Sequence, residues 1–180
     1  EGTLGAGRFA FGLRASRLAS ATMSLDDVFV LQSAASNLLQ VRDRIARGLR
    51  YAGPALFSVY APADGGVLPG YLQAAAAMQS RAFPAFTYDP AAGPDLAGRF
   101  SLENNPQPEH DWPVESLPYV DTAWQRASER CAFTFADFML CDARNAAHFA
   151  LVPRERWGAM MLPAADWLAL DEQRASLHVP

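Results

Sequence analysis

Val28-Phe29-Val30-Leu31 and, further along, Gly53-Pro54-Ala55-Leu56-Phe57-Ser58-Val59-Tyr60 decide the fold. The first run follows the turn residues Ser24-Leu25-Asp26-Asp27. A short, unbroken apolar run after a turn signal predicts a strand buried on both faces. Between the two runs, Leu38, Val41, Ile45 and Leu49 recur at helical spacing. Arg42, Asp43, Arg44 and Arg47 fill the opposite face, with Asp43 and Arg47 one turn apart and set to pair. Ser36 or Asn37 offers a side-chain oxygen to cap this helix, and Gly53-Pro54 ends it. A strand, a crossover helix and a second strand make a β-α-β unit, which is long enough for parallel pairing. The loop Pro62 to Gly66 then falls at the carboxyl end of the second strand, the edge where open α/β sheets hold ligands.

Working outward, residues 13–23 predict a short amphipathic helix. Leu68 to Ser80 is alanine-rich and predicts a helix whose small residues pack closely on the sheet. Phe83 to Tyr88 reads as extended, and Asp89-Pro90 breaks it. Residues 90–118 are rich in Pro, Gly and Asn and predict an irregular ordered excursion. In the tail, Val120 to Arg130 and Phe133 to Leu140 predict helices, and His148 to Val152 a short strand. Trp157 to Met161 and Trp167 to Leu170 are apolar patches between prolines. The fold class expected is α/β: a partial parallel sheet with helices on its faces, followed by a mixed α+β extension. The composition shifts near residue 115, which divides the chain into 1–115 and 116–180.

The 180 residues are 51% hydrophobic and 19% charged, a balance that suits a globular core and not a disordered tail. The net charge of -4 gives no basic face for nucleic acid. All fifteen basic residues are arginine, so Schiff-base lysine chemistry and a lysine phosphate loop are excluded. No run of about 18 apolar residues predicts a membrane span. Cys131 and Cys141 form no C-x-x-C pair, which argues against a metal or iron–sulfur site built from this chain alone. The expected location is cytoplasmic, where a disulfide between them is disfavoured. Both ends read as cut from something longer, since Glu1-Gly2-Thr3 has no initiator Met and Leu177-His178-Val179-Pro180 leads toward a further strand.

Val28-Phe29-Val30-Leu31-Gln32, Asn37, Gln40, Gly53-Pro54-Ala55-Leu56 and Val59-Tyr60-Ala61 together resemble the end of the thiamine-diphosphate-binding domain of pyruvate:ferredoxin (flavodoxin) oxidoreductases. Ala77, Ser80, Pro84, Tyr88 and Pro90 keep the spacing of that family's next segment, and Phe100 to Pro106 sits where it has a short Asn-Pro-Phe, Leu-Asp stretch. The resemblance covers roughly residues 10–106, and residues 107–180 match no motif of it. It implies a segment of a thiamine-dependent 2-oxoacid oxidoreductase. The parent enzyme would convert a 2-oxoacid to its acyl-CoA and pass electrons to ferredoxin or flavodoxin. It would be a multidomain homodimer, and this segment would be inactive alone. The implied partners are the remainder of the parent chain or other subunits.

Two departures limit what transfers. The family's Gly-Asp-Gly motif and its downstream Asn, which hold the Mg²⁺ that grips the diphosphate, are absent. Asp64-Gly65-Gly66 is the nearest local imitation, but it lacks the leading Gly and sits one strand late. The family's cluster-ligating Cys is replaced by Ala63, which cannot ligate iron, so the iron–sulfur cluster is either lost or completed by another residue. No catalytic residue and no metal ligand is assigned.

The candidates for contact with a cofactor are Asp64, Arg81 and His110. Arg81 reads as a partner for a cofactor phosphate or, more simply, for Asp89. His110, between Glu109 and Asp111, reads as part of an acid/base cluster or, more simply, of a Pro-spaced surface loop. Cys131 and His148 read as buried core residues, and the four tryptophans as packing anchors or interface residues. Two rival functions stand beside the oxidoreductase: a non-catalytic interaction module derived from a thiamine-binding domain, and a non-oxidative thiamine-dependent decarboxylase.

Overall fold

The computed structural model describes residues 13–62 and 68–170. Helix α1 (Leu13–Met23) leads into strand β1 (Phe29–Ala34) through a tight turn in which Asp26 takes φ 58°. A 3₁₀ turn (Ala35–Asn37) precedes α2 (Arg42–Arg50), and β2 (Ala55–Tyr60) follows. β1 and β2 pair in parallel from Phe29 opposite Ala55 to Ala34 opposite Tyr60, the predicted β-α-β unit.

Beyond β1 the sheet is no longer parallel. After α3 (Gly70–Gln79), strand β3 (Phe86–Tyr88) runs antiparallel to β1, and β4 (Phe100–Ser101), which follows α4 (Leu96–Arg99), runs antiparallel to β3. The result is a four-stranded mixed sheet in the order β2-β1-β3-β4, where a partial parallel sheet was expected. The connection from β2 to β3, residues 61–85 with α3 inside it, is long enough for a parallel crossover, so its length does not set the direction of β3.

Side-chain alternation along β1 feeds two faces. Phe29 and Leu31 meet Val41, Ile45 and Phe57 beneath α2. Val30 meets Ala19, Phe86 and Tyr88 on the α1 side. Further along that face, Ala34 and Tyr60 pack on Ala74, Ala77 and Phe83. Burying each large apolar side chain contributes about 1.5–3 kcal/mol. α2 approaches the sheet closely because it presents Gly48 there; a Cβ at that position would lie 2.5 Å from Phe29 Cε1 and 2.8 Å from Phe57 Cζ.

The predicted Asp43–Arg47 pair and the Ser36 or Asn37 cap are not what holds α2. The helix starts after Val41 with no side-chain cap. Arg47 turns instead to the buried Asp89 at the end of β3, and Arg44 reaches Glu103 at 2.8 Å. The tertiary partners prevail because Asp89 is buried and Asp43 is exposed, and a buried carboxylate requires a countercharge.

The tail also differs from expectation. Residues 114–132 form a hairpin of β5 (Val114–Val120) and β6 (Arg126–Ala132), not a helix over 120–130. α5 (Phe135–Leu140) is helical as expected, with the Asp137 carboxylate accepting from the Thr134 amide and hydroxyl. His148 ends a 3₁₀ segment (Ala143–His148) and is exposed, neither in a strand nor in the core. A third 3₁₀ segment (Arg154–Arg156) and α6 (Ala164–Trp167) complete the described chain, with α6 packed on β6. Phe138 of α5 returns to the first sheet and stands edge-on to Tyr60, 6.5 Å between ring centroids. Cys131 and Cys141 are both free and half-buried. No described helix is long and apolar enough to cross a membrane.

Candidate functional site

The carboxyl ends of β1 and β2 point to one edge of the sheet, where several polar residues lie beside the apolar cluster of Ala34 and Tyr60. Gln32, fully buried, donates through Nε2 to the Pro84 carbonyl at 2.9 Å. Asn37 donates to Ser33 Oγ and to the Asn104 carbonyl, each at 3.2 Å, which ties the 3₁₀ turn to the loop after β4. Asn105 acts as a strand residue would. Its Oδ1 accepts from the Ala85 amide at 2.8 Å, and its Nδ2 donates to the Ala85 and Leu102 carbonyls at 2.5 and 2.8 Å.

Three side-chain oxygens near this edge, Gln32 Oε1, Ser36 Oγ and Gln73 Oε1, are buried with no hydrogen-bond partner in the fold. Buried polar atoms left unpaired are uncommon and mark places where water or a bound group completes the set. α3 packs against the 3₁₀ turn that carries Ser36, so Ser36 and Gln73 belong to the same corner.

Arg81 takes a role that sequence reasoning missed. It adopts φ 61° and sends its guanidinium into the loop after β4. Nη2 donates to the carbonyls of Pro106, Gln107 and His110 at 2.7, 2.8 and 3.1 Å, and Nε donates to that of Asp111 at 3.1 Å. Trp112 Nε1 closes the same loop on the Ser80 carbonyl at 3.1 Å. The guanidinium fork suits several oxygens at once, whereas an ammonium would not span them. Burial pulls Arg81 down from its ordinary value, while Asp111 and Glu109 act in the opposite sense. The anticipated Arg81–Asp89 pair does not form, since Asp89 is taken by Arg47.

Arg81→Ala is therefore expected to free the 106–112 loop and to destabilise the fold by about 2 kcal/mol, with Arg81→Lys recovering less than half of the loss. Urea unfolding, together with the rate of proteolytic cleavage within residues 106–112, measures both effects. An unchanged cleavage rate would remove the clamp assignment.

His110 is an exposed loop residue, 3.9 Å from the Glu109 carboxylate. Its backbone serves the Arg81 clamp, while its side chain faces outward. Asp64 and Ala63 lie outside the described residues. The expected candidates thus converge only in part, since Arg81 and His110 share one loop whose organisation is structural.

Tyr60, at the end of β2, is buried among Phe83 and Phe138, and burial, with Asp142 and Cys141 nearby, pushes its phenol up to about 12. Burial and Asp137 likewise raise the Cys141 thiol, which disfavours the thiolate a nucleophile or metal ligand needs. Among the described residues no group of three or more His, Cys, Asp or Glu is placed to hold a metal ion. The Thr134 hydroxyl meets the Asp137 carboxylate as the cap of α5, and the groups at the sheet edge, Gln32, Ser36 and Gln73, can orient a bound group but include no base. No protein-family model matches the chain, and no curated protein matches it in sequence.

Proposed function

We propose that the chain is a segment of a cytoplasmic thiamine-dependent 2-oxoacid:acceptor oxidoreductase, and that it builds the sheet behind the cofactor without performing the chemistry. The observation that carries this reading is the parallel β1-α2-β2 unit, entered through Gly53-Pro54 and in register from Phe29 to Ala34. Its carboxyl edge supports the reading with the buried, unpartnered oxygens of Gln32, Ser36 and Gln73. The outer edge of β2 supports it as well. This six-residue strand bears neither charge nor proline, although proteins ordinarily protect exposed edges with one or the other. A further strand of the parent protein would continue the sheet there. Thiamine diphosphate and Mg²⁺ would be held by residues outside this chain, and electrons would leave to ferredoxin or flavodoxin through the whole enzyme.

The test compares two proteins. The 180-residue chain alone is expected to show neither pyruvate decarboxylation nor tight binding of thiamine diphosphate. A version extended upstream through the parent reading frame is expected to carry Gly-Asp-Gly and the downstream Asn. That version would bind the cofactor with Mg²⁺ and reduce a viologen dye when given a 2-oxoacid and coenzyme A. Micromolar affinity of the 180-residue chain for thiamine diphosphate, measured by calorimetry, would overturn the assignment. Iron content of the longer protein separates the oxidoreductase from a non-oxidative decarboxylase.

A non-catalytic interaction module is the second reading. It is favoured by the exposed apolar side chains Leu39, Leu49 and Tyr71, at 73%, 72% and 66% exposure. A natural reading frame beginning near Glu1 would decide for it.

A further inference from the structure

We infer that the β5–β6 hairpin is a docking arm for an acidic protein surface, independently of the 2-oxoacid reading. Side chains alternate between the two faces of a ribbon. In the observed register, Ser116 lies opposite Arg130, Pro118 opposite Ser128 and Val120 opposite Arg126, so these six residues share one face. All six are exposed. That face holds two arginines and no acid. The opposite face holds Glu115 and Glu129, and Glu129 is already engaged by Arg154 at 2.7 Å.

Among the described residues these two arginines, like Arg50 and Arg156, form no ion pair, unlike several others. Arg44, Arg47, Arg144 and Arg154 each meet a carboxylate, and Arg81 and Arg99 are bound to carbonyls of the fold. Arg126 and Arg130 have no acidic partner among the described residues, and they project from the same strand with the Ser116–Ser128 hydroxyl pair, 2.6 Å apart, between them. In a chain of net charge -4, this is a local cationic strip of defined spacing.

The tip supplies the apolar anchor. Asp121 organises the turn, its Oδ1 accepting from the amides of Ala123 and Gln125, each at 2.8 Å. Trp124 then occupies the left-handed position of the turn at φ 61° with its side chain 89% exposed. Glycine fits that position without penalty, whereas tryptophan costs backbone energy there and its ring gains no burial in return. Trp and Arg are also the side chains that dominate binding energy at protein interfaces. The charge of the strip selects carboxylates, and the indole beside it selects an adjacent apolar residue. An acidic protein segment bearing one large apolar side chain has both.

The probe is a fluorescein-labelled peptide of glutamates with a central leucine, titrated against the full 180-residue chain by fluorescence anisotropy. Saturable binding is expected to weaken on adding salt and to fall by at least about tenfold in the Arg126→Glu, Arg130→Glu double variant, because each like-charge contact opposes association. Trp124→Gly is expected to weaken binding while raising the thermal midpoint by about 3 °C, since it relieves the left-handed position. Peptide affinity unchanged in both variants overturns the proposal, as does the absence of binding at millimolar peptide. Stronger binding to phosphatidylserine vesicles or single-stranded RNA than to the peptide, lost in the same variants, would reassign the arm to a membrane or a nucleic acid.

Discussion

Gly48→Val is expected to destabilise the fold by about 3 kcal/mol, near the upper end of what overpacking costs. The added Cβ would stand 2.5 and 2.7 Å from two ring carbons of Phe29. Phe29 cannot step aside. It is fully buried, and Tyr51 and Phe57 contact it with ring centroids 6.2 Å away in each case. The helix would have to lift from the sheet, which would loosen Val41 and Ile45 as well. Gly48→Ala introduces the same clash with a smaller group and regains helix propensity, so its net cost is expected to be about 1 kcal/mol. Denaturant midpoints at constant slope measure both. A valine variant as stable as the parent would mean that α2 does not lie on β1 and β2 as described.

Asn105→Ala carries the second large effect, about 4 kcal/mol. Asn105 is buried, and its side chain satisfies both the amide and the carbonyl of Ala85, a residue with no exposed surface. Removing it leaves two buried backbone groups without partners at the entrance to β3, and each such loss costs about 1–3 kcal/mol. Asn105→Asp keeps the acceptor and loses the donor, and it buries a charge beside the Ala85 and Leu102 carbonyls, so it is expected to be no better than alanine. Chemical denaturation of the two variants tests this, and a loss below about 1 kcal/mol in both would show that water replaces the side chain.

The half of the fold legible in sequence is the half built from local patterns. Val28 to Leu31 and Ala55 to Tyr60 are continuous apolar runs, and the helix between them repeats at 3.6 residues. Pairing order and direction do not follow from such runs, and β3 pairs antiparallel with β1 after a connection long enough for either direction. The hairpin was hidden by its turn. Strand pairs such as Leu117 opposite Glu129 and Tyr119 opposite Ala127 do alternate, but Trp124 stands where glycine or asparagine would have signalled the reversal. Read without that signal, the segment resembles a helix.

The candidate site was legible by type and not by task. Arg81 stood out as a charge beside an apolar strand, but its partners are main-chain carbonyls more than two dozen residues away, which have no sequence signature. The sequence pairs Arg81 with Asp89, whereas Arg47 takes that carboxylate once α2 crosses the sheet. Asn105 was passed over altogether, since a side chain that substitutes for a strand resembles any loop asparagine in sequence.

The two margins of the four-stranded sheet differ. On one side β4 is a two-residue strand, and on the other β2 is six residues long and unguarded. Growth of the sheet therefore has a single valence. Among the described residues, a strand that joins this sheet has a full ladder only along β2, since β4 offers two residues to a partner on the other side.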